Sequence, residues 1–266
     1  MVSGKTAIVT GAGSGINLAF AELLLSRNCN VIFADLALRP EAQDLVSRYA
    51  SRHKSPRAIY VETDVTSWPA LSHMFDTALT EFGDFHIVCP GAGVYEPTWS
   101  SFWRPPGSRE SKDTMESGHY ALMDINLTHP IRATQMAISH WLYPKSMPNS
   151  KFPIVAKTTP SNPKRIIHIA SVAAQVPVFR APLYAASKFA ISGFVRSLGG
   201  LDTYGVRVNA VAPGFVRTPL WTENPDKLAN IDENRDVWVT PLEVAEAMLS
   251  CIESEDKVGG TVIETF

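Results

Sequence analysis

Tyr184 and Lys188 stand four residues apart in the helix-compatible segment Tyr184-Ala185-Ala186-Ser187-Lys188-Phe189, so both side chains leave the same helix face. A phenol with an ordinary pKa of about 10 shuttles protons poorly at neutral pH, and a neighbouring ammonium favours the phenolate and lowers that value. Such a pair can do general acid–base work; the plainer alternative is a solvated helix face. A second group of residues suits phosphate. The turn Thr10-Gly11-Ala12-Gly13-Ser14-Gly15-Ile16 joins a β-rich run to a helical pattern. Glycines there let the backbone approach a pyrophosphate, whose charge meets free N–H groups and the positive end of the helix, although a tight connection would look the same.

The elements that must position these groups recur in a regular rhythm. Short apolar runs at 6–10, 31–34, 58–61, 86–89, 165–170, 206–212 and 261–264 alternate with helical patterns. That alternation predicts one α/β domain over 1–266, Rossmann-type and doubly wound, with a seven-stranded parallel sheet flanked by helices. Apolar stripes support the helices, with Ile16, Ala19, Phe20, Leu23 and Leu24 in one and Leu71, Met74, Phe75, Ala78, Leu79 and Phe82 in another. Asp35 falls at the end of the second run, about 20 residues beyond the glycines, where an acid can bind the adenosine ribose hydroxyls; its bland reading is a helix cap or turn residue. A carboxylate there repels a 2′-phosphate, and no Lys or Arg lies in the glycine turn or directly after Asp35, which favours NAD over NADP.

Two irregular stretches separate by topology, because loops leaving a parallel strand lie at the ligand edge and loops entering one lie opposite. Residues 94–113 leave the fourth run and carry Tyr95, Trp99, Phe102 and Trp103, so they are candidates for a substrate wall. Residues 144–164, with Pro144, Pro148, Pro153, Pro160 and Pro163, enter the fifth run and are expected to form a surface loop.

Composition removes several classes of function. The chain has 266 residues, 45% hydrophobic and 19% charged, which is ample for a continuous core. Its 24 Lys plus Arg against 26 Asp plus Glu leave no basic excess, so neither nucleic acid nor a membrane is an expected partner. Cys29, Cys89 and Cys251 are widely spaced among apolar neighbours and read as reduced core residues in a cytoplasmic protein, with no metal site. The first strand begins almost at Met1, so no signal or transit peptide is expected, and no apolar stretch approaches membrane-spanning length.

Taken in order, Gly11-x3-Gly15, Asp35, Asp64, Ala92-Gly93, Asn126, Ser171, Tyr184, Lys188 and Pro213-Gly214 resemble the short-chain dehydrogenase/reductase family over essentially the whole chain. The thirteen-residue step from Ser171 to Tyr184 matches that family, and the run Val88–Gly93 loosely resembles its hydroxyprostaglandin-dehydrogenase-like members. The resemblance implies a catalytic group of Asn126, Ser171, Tyr184 and Lys188 around a nicotinamide. Tyr184 would exchange a proton with a substrate hydroxyl while Ser171 bonds the same oxygen. Lys188 would lower the phenol's pKa and hold the nicotinamide ribose, and Asn126 would tether a relay water. The resemblance further assigns cofactor contacts to Gly11, Gly13, Ser14, Gly15, Ile16, Asp35, Asp64, Val65, Gly91, Ala92, Gly93, Tyr184, Lys188, Pro213, Gly214, Val216 and Thr218. It implies pairing of the fourth and fifth helices into a homodimer or homotetramer; Ile131, Ala137, Trp141, Phe189 and Phe194 could supply the apolar surface, the alternative being that these residues face the sheet.

Two departures stand out: Asn17 where the family usually has a third glycine, and Pro90-Gly91 where it has asparagines. A long C-terminal tail into a neighbouring subunit is not expected after the last run. The expected activity is an NAD-dependent interconversion of a secondary alcohol and a ketone on an apolar small molecule. Trp99, Phe102, Trp103, Val176, Phe179, Phe215, Leu220 and Trp221 are expected at the ligand edge, although each could simply pack a loop onto the core. The alternatives are an NADPH-dependent ketone reductase of secondary metabolism and a catalytically silent nucleotide-binding relative.

Overall fold

The computed structural model describes residues 2–143, 158–159, 162–222 and 237–266. Seven parallel strands form one sheet: β1 (Thr6–Thr10), β2 (Asn30–Asp35), β3 (Ala58–Glu62), β4 (Ile87–Pro90), β5 (Lys164–Ile169), β6 (Val206–Pro213) and, last in the chain, β9 (Val262–Thr265). Their order is β3-β2-β1-β4-β5-β6-β9, and each sequence-predicted strand lies within two residues of its observed ends. The order reverses at β1, with β2 on one side and β4 on the other, so a crevice opens at the carboxyl ends of those strands.

Helices cover both faces because the strands are apolar on both. Thr6–Thr10 is buried at every position, the pattern of a strand without a solvent face. On one face lie α1 (Gly15–Ser26) and α8 (Pro241–Glu253), which pack Phe20, Leu24, Val244 and Met248 against Val9 and Phe33. The other face carries α3 (Trp68–Phe82), α5 (His129–Leu142) and α6 (Pro182–Ser197), with Phe75, Trp141 and Ile191 against Ile8, Val88 and Ile166. Between β2 and β3 lies α2 (Pro40–Arg48). Local chemistry sets several ends. Ser67 caps α3 by accepting from Ala70 N, and Gly83 at φ 76° ends it in the left-handed conformation. Thr240 and Glu243 close a capping box at α8.

Some details differ from the sequence reading. In α1 the buried face is Asn17, Phe20, Ala21, Leu24 and Leu25, while Ile16, Ala19 and Leu23 are only partly covered. That helix is apolar nearly all round, so its stripe does not identify its inner face. Ala137 and Trp141 belong to the core and offer no surface for helix pairing: both are fully buried, and the Trp141 indole donates to Phe85 O at 3.1 Å. Ile131 and Phe189 do remain exposed. A two-stranded sheet of β7 (Phe215–Val216) and β8 (Trp238–Val239) was not foreseen. The expected loop at 144–164 lies outside the described residues over 144–157 and 160–161. Among the described residues no helix is long and apolar enough to cross a membrane.

Candidate active site

At the β1/β4 reversal the sheet opens into a cavity of about 640 Å³. Every sequence-predicted site residue lines it except Gly13 and Asn126. One wall is main chain. The first turn of α1 faces the cavity with Ser14, Gly15 and Ile16, and no side chain caps that helix, so its leading N–H groups are available to an anion. Gly13 lies behind this surface. Its N–H donates to Asp35 Oδ2 at 2.8 Å, and a Cβ there would lie 2.4 Å from Ala37 O. Asp35 also accepts from Leu36 N at 2.8 Å, so its carboxylate holds the glycine turn while still lining the cavity.

Asn17 and Gly91, one from each of the two departures, form one arrangement. Asn17 is buried, and its amide fills the space in front of Gly91 so closely that a Cβ at Gly91 would lie 2.1 Å from Asn17 Oδ1. Beneath it the Cys89 thiol donates to the same oxygen at 3.7 Å. The bulk added at one position is accommodated by the side chain missing at the other.

The facing wall carries the titratable groups. Ser171 follows β5 and leads a single 3-10 turn, its hydroxyl accepting from Ala173 N at 3.1 Å. Tyr184 and Lys188 sit on α6 as the four-residue spacing requires, with Lys188 Nζ 5.5 Å from the Tyr184 ring centroid. The ammonium donates to Ile169 O at 2.8 Å, and burial lowers its pKa to about 8. The sequence reading has Lys188 lowering the phenol, but here burial dominates: the Tyr184 phenol is pushed up to about 12, against a hydrogen bond with Ser171 that works the other way, while Tyr95 adds to the rise. Asn126 lies behind this wall in the π-helical turn Asp124–Thr128. Its amide is engaged with main chain, accepting from Val94 N at 2.9 Å and donating to Val94 O at 2.8 Å, with Ser187 Oγ at 3.3 Å. It thus holds the loop after β4 and the middle of α6 together.

An aromatic end closes the cavity. Tyr95 packs edge-on against Tyr184 with ring centroids 4.6 Å apart and tilts onto Trp221 at 4.9 Å, which in turn meets Phe215 at 5.2 Å. Val176 and Leu220 complete the lining foreseen from sequence. Trp99, Phe102, Trp103 and Phe179 do not line the cavity. Trp99 packs under Lys112, and the other three form an exposed ridge, Phe179 being 79% exposed, in which the Trp103 indole donates to Phe179 O at 3.0 Å. The loop turns outward because buried carboxylates capture it: Glu96 takes Ser101 and Phe102, and Asp113 takes Ser100 and Ala121. The sequence reading missed Glu96, and its signal is faint, a lone acid amid an otherwise apolar run after β4.

The family described as short chain dehydrogenase matches residues 5–229. Human 15-hydroxyprostaglandin dehydrogenase (NAD+) is 26% identical across 99% of this chain and 91% of its own length. Cis-4-hydroxycyclohexanecarboxylate dehydrogenase of Sinomonas cyclohexanicum is 30% identical across 92% of this chain and 87% of its own. Among solved structures, a short chain dehydrogenase of Burkholderia cenocepacia in complex with NADP superposes with a TM-score of 0.74 at 24% identity, covering 99% of this chain and 96% of that one. The 3-ketoacyl-(acyl-carrier-protein) reductase of Brucella melitensis complexed with NADH gives 0.73 at 20% identity, covering 100% and 98%. At those identities the solved structures speak for the fold.

Proposed function

The chain belongs to the short chain dehydrogenase family and is an NAD(P)-dependent oxidoreductase, and from that premise we propose that it interconverts an apolar secondary alcohol and its ketone with NAD, using Tyr184 as the acid–base group. The observation that carries this reading is the convergence of Ser171, Tyr184 and Lys188 on one wall of a cavity whose opposite wall is an uncapped helix N-terminus with Asp35. The dinucleotide fits that wall on physical grounds: unopposed N–H groups for the pyrophosphate, and a carboxylate that favours ribose hydroxyls over a 2′-phosphate. Gly11, Ser14, Gly15 and Ile16 would hold the pyrophosphate side. Asp64, Val65, Gly91, Ala92 and Gly93 would line the adenosine side, and Pro213, Gly214, Val216 and Thr218 the carboxamide side.

Bound there, a nicotinamide supplies the carbon that accepts hydride from the carbinol in one direction and returns it in the other. The protein's part is to manage the oxygen and its proton. Ser171 donates a hydrogen bond to the substrate oxygen, steadying the charge that develops on it. Tyr184 exchanges the hydroxyl proton with the same oxygen. Lys188, whose pKa burial lowers to about 8, is the cation facing the phenol. Asn126 fixes Val94 and so the entry to the substrate-side loop. Tyr95, Phe215, Leu220 and Trp221 offer no charge to a substrate, which selects an apolar body beside the reacting carbon. The cis-4-hydroxycyclohexanecarboxylate dehydrogenase and 15-hydroxyprostaglandin dehydrogenase relatives are named for compounds in which a hydroxyl sits on a largely hydrocarbon frame. The exposed faces of Ile131 and Phe189 are consistent with self-association into a dimer or tetramer.

The test is binding and turnover on purified protein. Titration with NAD+ and NADP+, and with their reduced forms, should show tighter binding of the unphosphorylated pair. A panel of secondary alcohols followed by absorbance of the reduced cofactor should yield activity on apolar members. A marked preference for NADPH would overturn the reading of Asp35, and turnover unchanged in Tyr184→Phe would overturn the acid–base assignment.

A further inference from the structure

Glu96 lies eighty-eight residues from Tyr184 in sequence, yet its carboxylate grips that tyrosine's backbone. The glutamate is 8% exposed and sits at φ 26°, a positive value that a residue with a side chain rarely adopts. Its Oε2 accepts from Tyr184 N at 3.0 Å. Its Oε1 accepts from Phe102 N at 3.0 Å and Ser101 Oγ at 3.2 Å. Tyr184 is the third residue of α6, so its N–H is one of the donors a helix cannot satisfy internally, and the residue in the capping position, Ala181, has no side chain that could accept it. A carboxylate at that end also opposes the positive pole of the helix. Meanwhile the residue just before Glu96, Tyr95, packs its ring edge-on against the Tyr184 ring. Consecutive residues of the loop after β4 therefore hold Tyr184 at both ends, one by its ring and one by its main chain. Asn126 pins the residue before them.

We propose that Glu96 is a positioning residue for Tyr184: its buried carboxylate fastens the first turn of α6 to the loop 95–103, so that the seat of the Tyr184 hydroxyl is set by the packing of the substrate-side loop. The proposal rests on the reading of Tyr184 as the proton-carrying group. It explains why an acid is buried behind an apolar wall and why the backbone takes a positive φ at Glu96. Strain of this kind persists where surrounding contacts over-determine it, and here three hydrogen bonds do so. Glu96 does not line the cavity; it acts through Tyr184.

Two variants test it. Glu96→Ala removes all three bonds. Glu96→Gln keeps one oxygen acceptor and must give up either the Tyr184 or the Ser101/Phe102 side. Three quantities are read on each: NAD+ affinity, the separate kcat and KM for an apolar alcohol, and hydrogen exchange of the peptide covering Tyr184. Misplacement of a reacting group by about 1 Å costs up to about 10²-fold in rate, so Glu96→Ala should lower kcat by about tenfold or more while NAD+ affinity stays within about twofold. Exchange at Tyr184 should quicken in Glu96→Ala, and Glu96→Gln should fall between it and the parent in both readouts. In a Tyr184→Phe background Glu96→Ala should cause no further loss of turnover. Unchanged kcat in Glu96→Ala would overturn the proposal, and so would a loss matched by weakened NAD+ binding and faster exchange throughout the chain. If Glu96→Ala does not fold, Glu96→Gln decides by the same readouts. If the parent protein turns over no alcohol, the functional reading fails separately, and exchange at Tyr184 alone decides: quickened in the Tyr184 peptide only, the proposal stands; unchanged, it falls.

Discussion

On the wall built by β1, α1 and β2, what faces the cavity is largely main chain, the amides of the glycine turn and a helix end that no side chain caps, with the Asp35 carboxylate beside them. Across from it, on the loop after β4, on α6 and on the segment after β6, what faces the cavity is rings: Tyr95, Tyr184, Phe215 and Trp221. The first wall works because side chains are missing, so adding atoms harms it. The second works because side chains are present, so it is harmed by trimming, and since several rings share the surface, each can be trimmed at modest cost. Tyr184 and Lys188 belong to the second wall but supply the chemistry for what the first wall holds.

That contrast is broken most sharply at Tyr184. Tyr184→Phe keeps the ring and its contact with Tyr95 and removes the hydroxyl alone. Alcohol oxidation should fall by about 10²- to 10⁴-fold with NAD+ affinity unchanged, as steady-state rates and calorimetry on the same preparation would show. If affinity fell along with rate, the two walls would not be separable.

Lys188 gives the next largest effect, read as stability against pH. Burial lowers its pKa from 10.5 to about 8 in the folded state, so between those values the unfolded chain binds the extra proton. Folding stability contributed by this residue therefore rises with pH across that window, by up to about 3 kcal/mol, and is lost as pH falls back toward 8. Denaturant unfolding of the parent compared with Lys188→Met should show the difference between them shifting in the parent's favour from pH 8 to pH 10.5; a parallel pair of curves would refute it.

On the main-chain wall, Gly91→Asn would bring a side chain against Asn17 and should destabilise by about 1–3 kcal/mol. Asn17→Gly in the same chain should recover most of that loss. A double-mutant cycle on thermal unfolding measures the coupling, and simple additivity would mean the two positions are independent. Asp35→Asn keeps an acceptor for Gly13 N and removes the charge, so the ratio of NAD+ to NADP+ affinity should drop by about tenfold, about 1.4 kcal/mol. The smallest effect belongs to the exposed ridge. Trp103→Ala breaks an aromatic pair worth about 0.5–1.5 kcal/mol and should leave small alcohols untouched, raising KM only for substrates long enough to reach out of the cavity.

Much of this molecule is legible without coordinates, and the reason is periodicity. Strands buried on both faces announce themselves as short apolar runs, and a four-residue step on a helix puts Tyr184 over Lys188 whatever surrounds them. What escapes is contact between distant segments that carries no local pattern. Nothing near Glu96 says that it caps a helix in the second half of the chain. Asn17 looks like added bulk until Gly91 is seen beneath it. Trp141 has the spacing of a helix face but not the information that its neighbours are Phe85 and Lys164. The aromatic residues of 99–103 share one composition, yet their direction is decided by two carboxylates that hold the loop, Asp113 by the Ser100 hydroxyl and Glu96 by the Phe102 main chain.

All three cysteines lie in the interior, and burial raises each thiol above its ordinary range. A native protein with silent sulfurs is a convenient platform for site-directed labelling. One cysteine introduced at Thr98 or Phe179, both solvent-facing on segments that also carry cavity-lining residues, Tyr95 and Val178, would be the thiol that a maleimide dye meets. Fluorescence from that dye could then follow ligand arrival in real time, with no background from the parent chain to subtract.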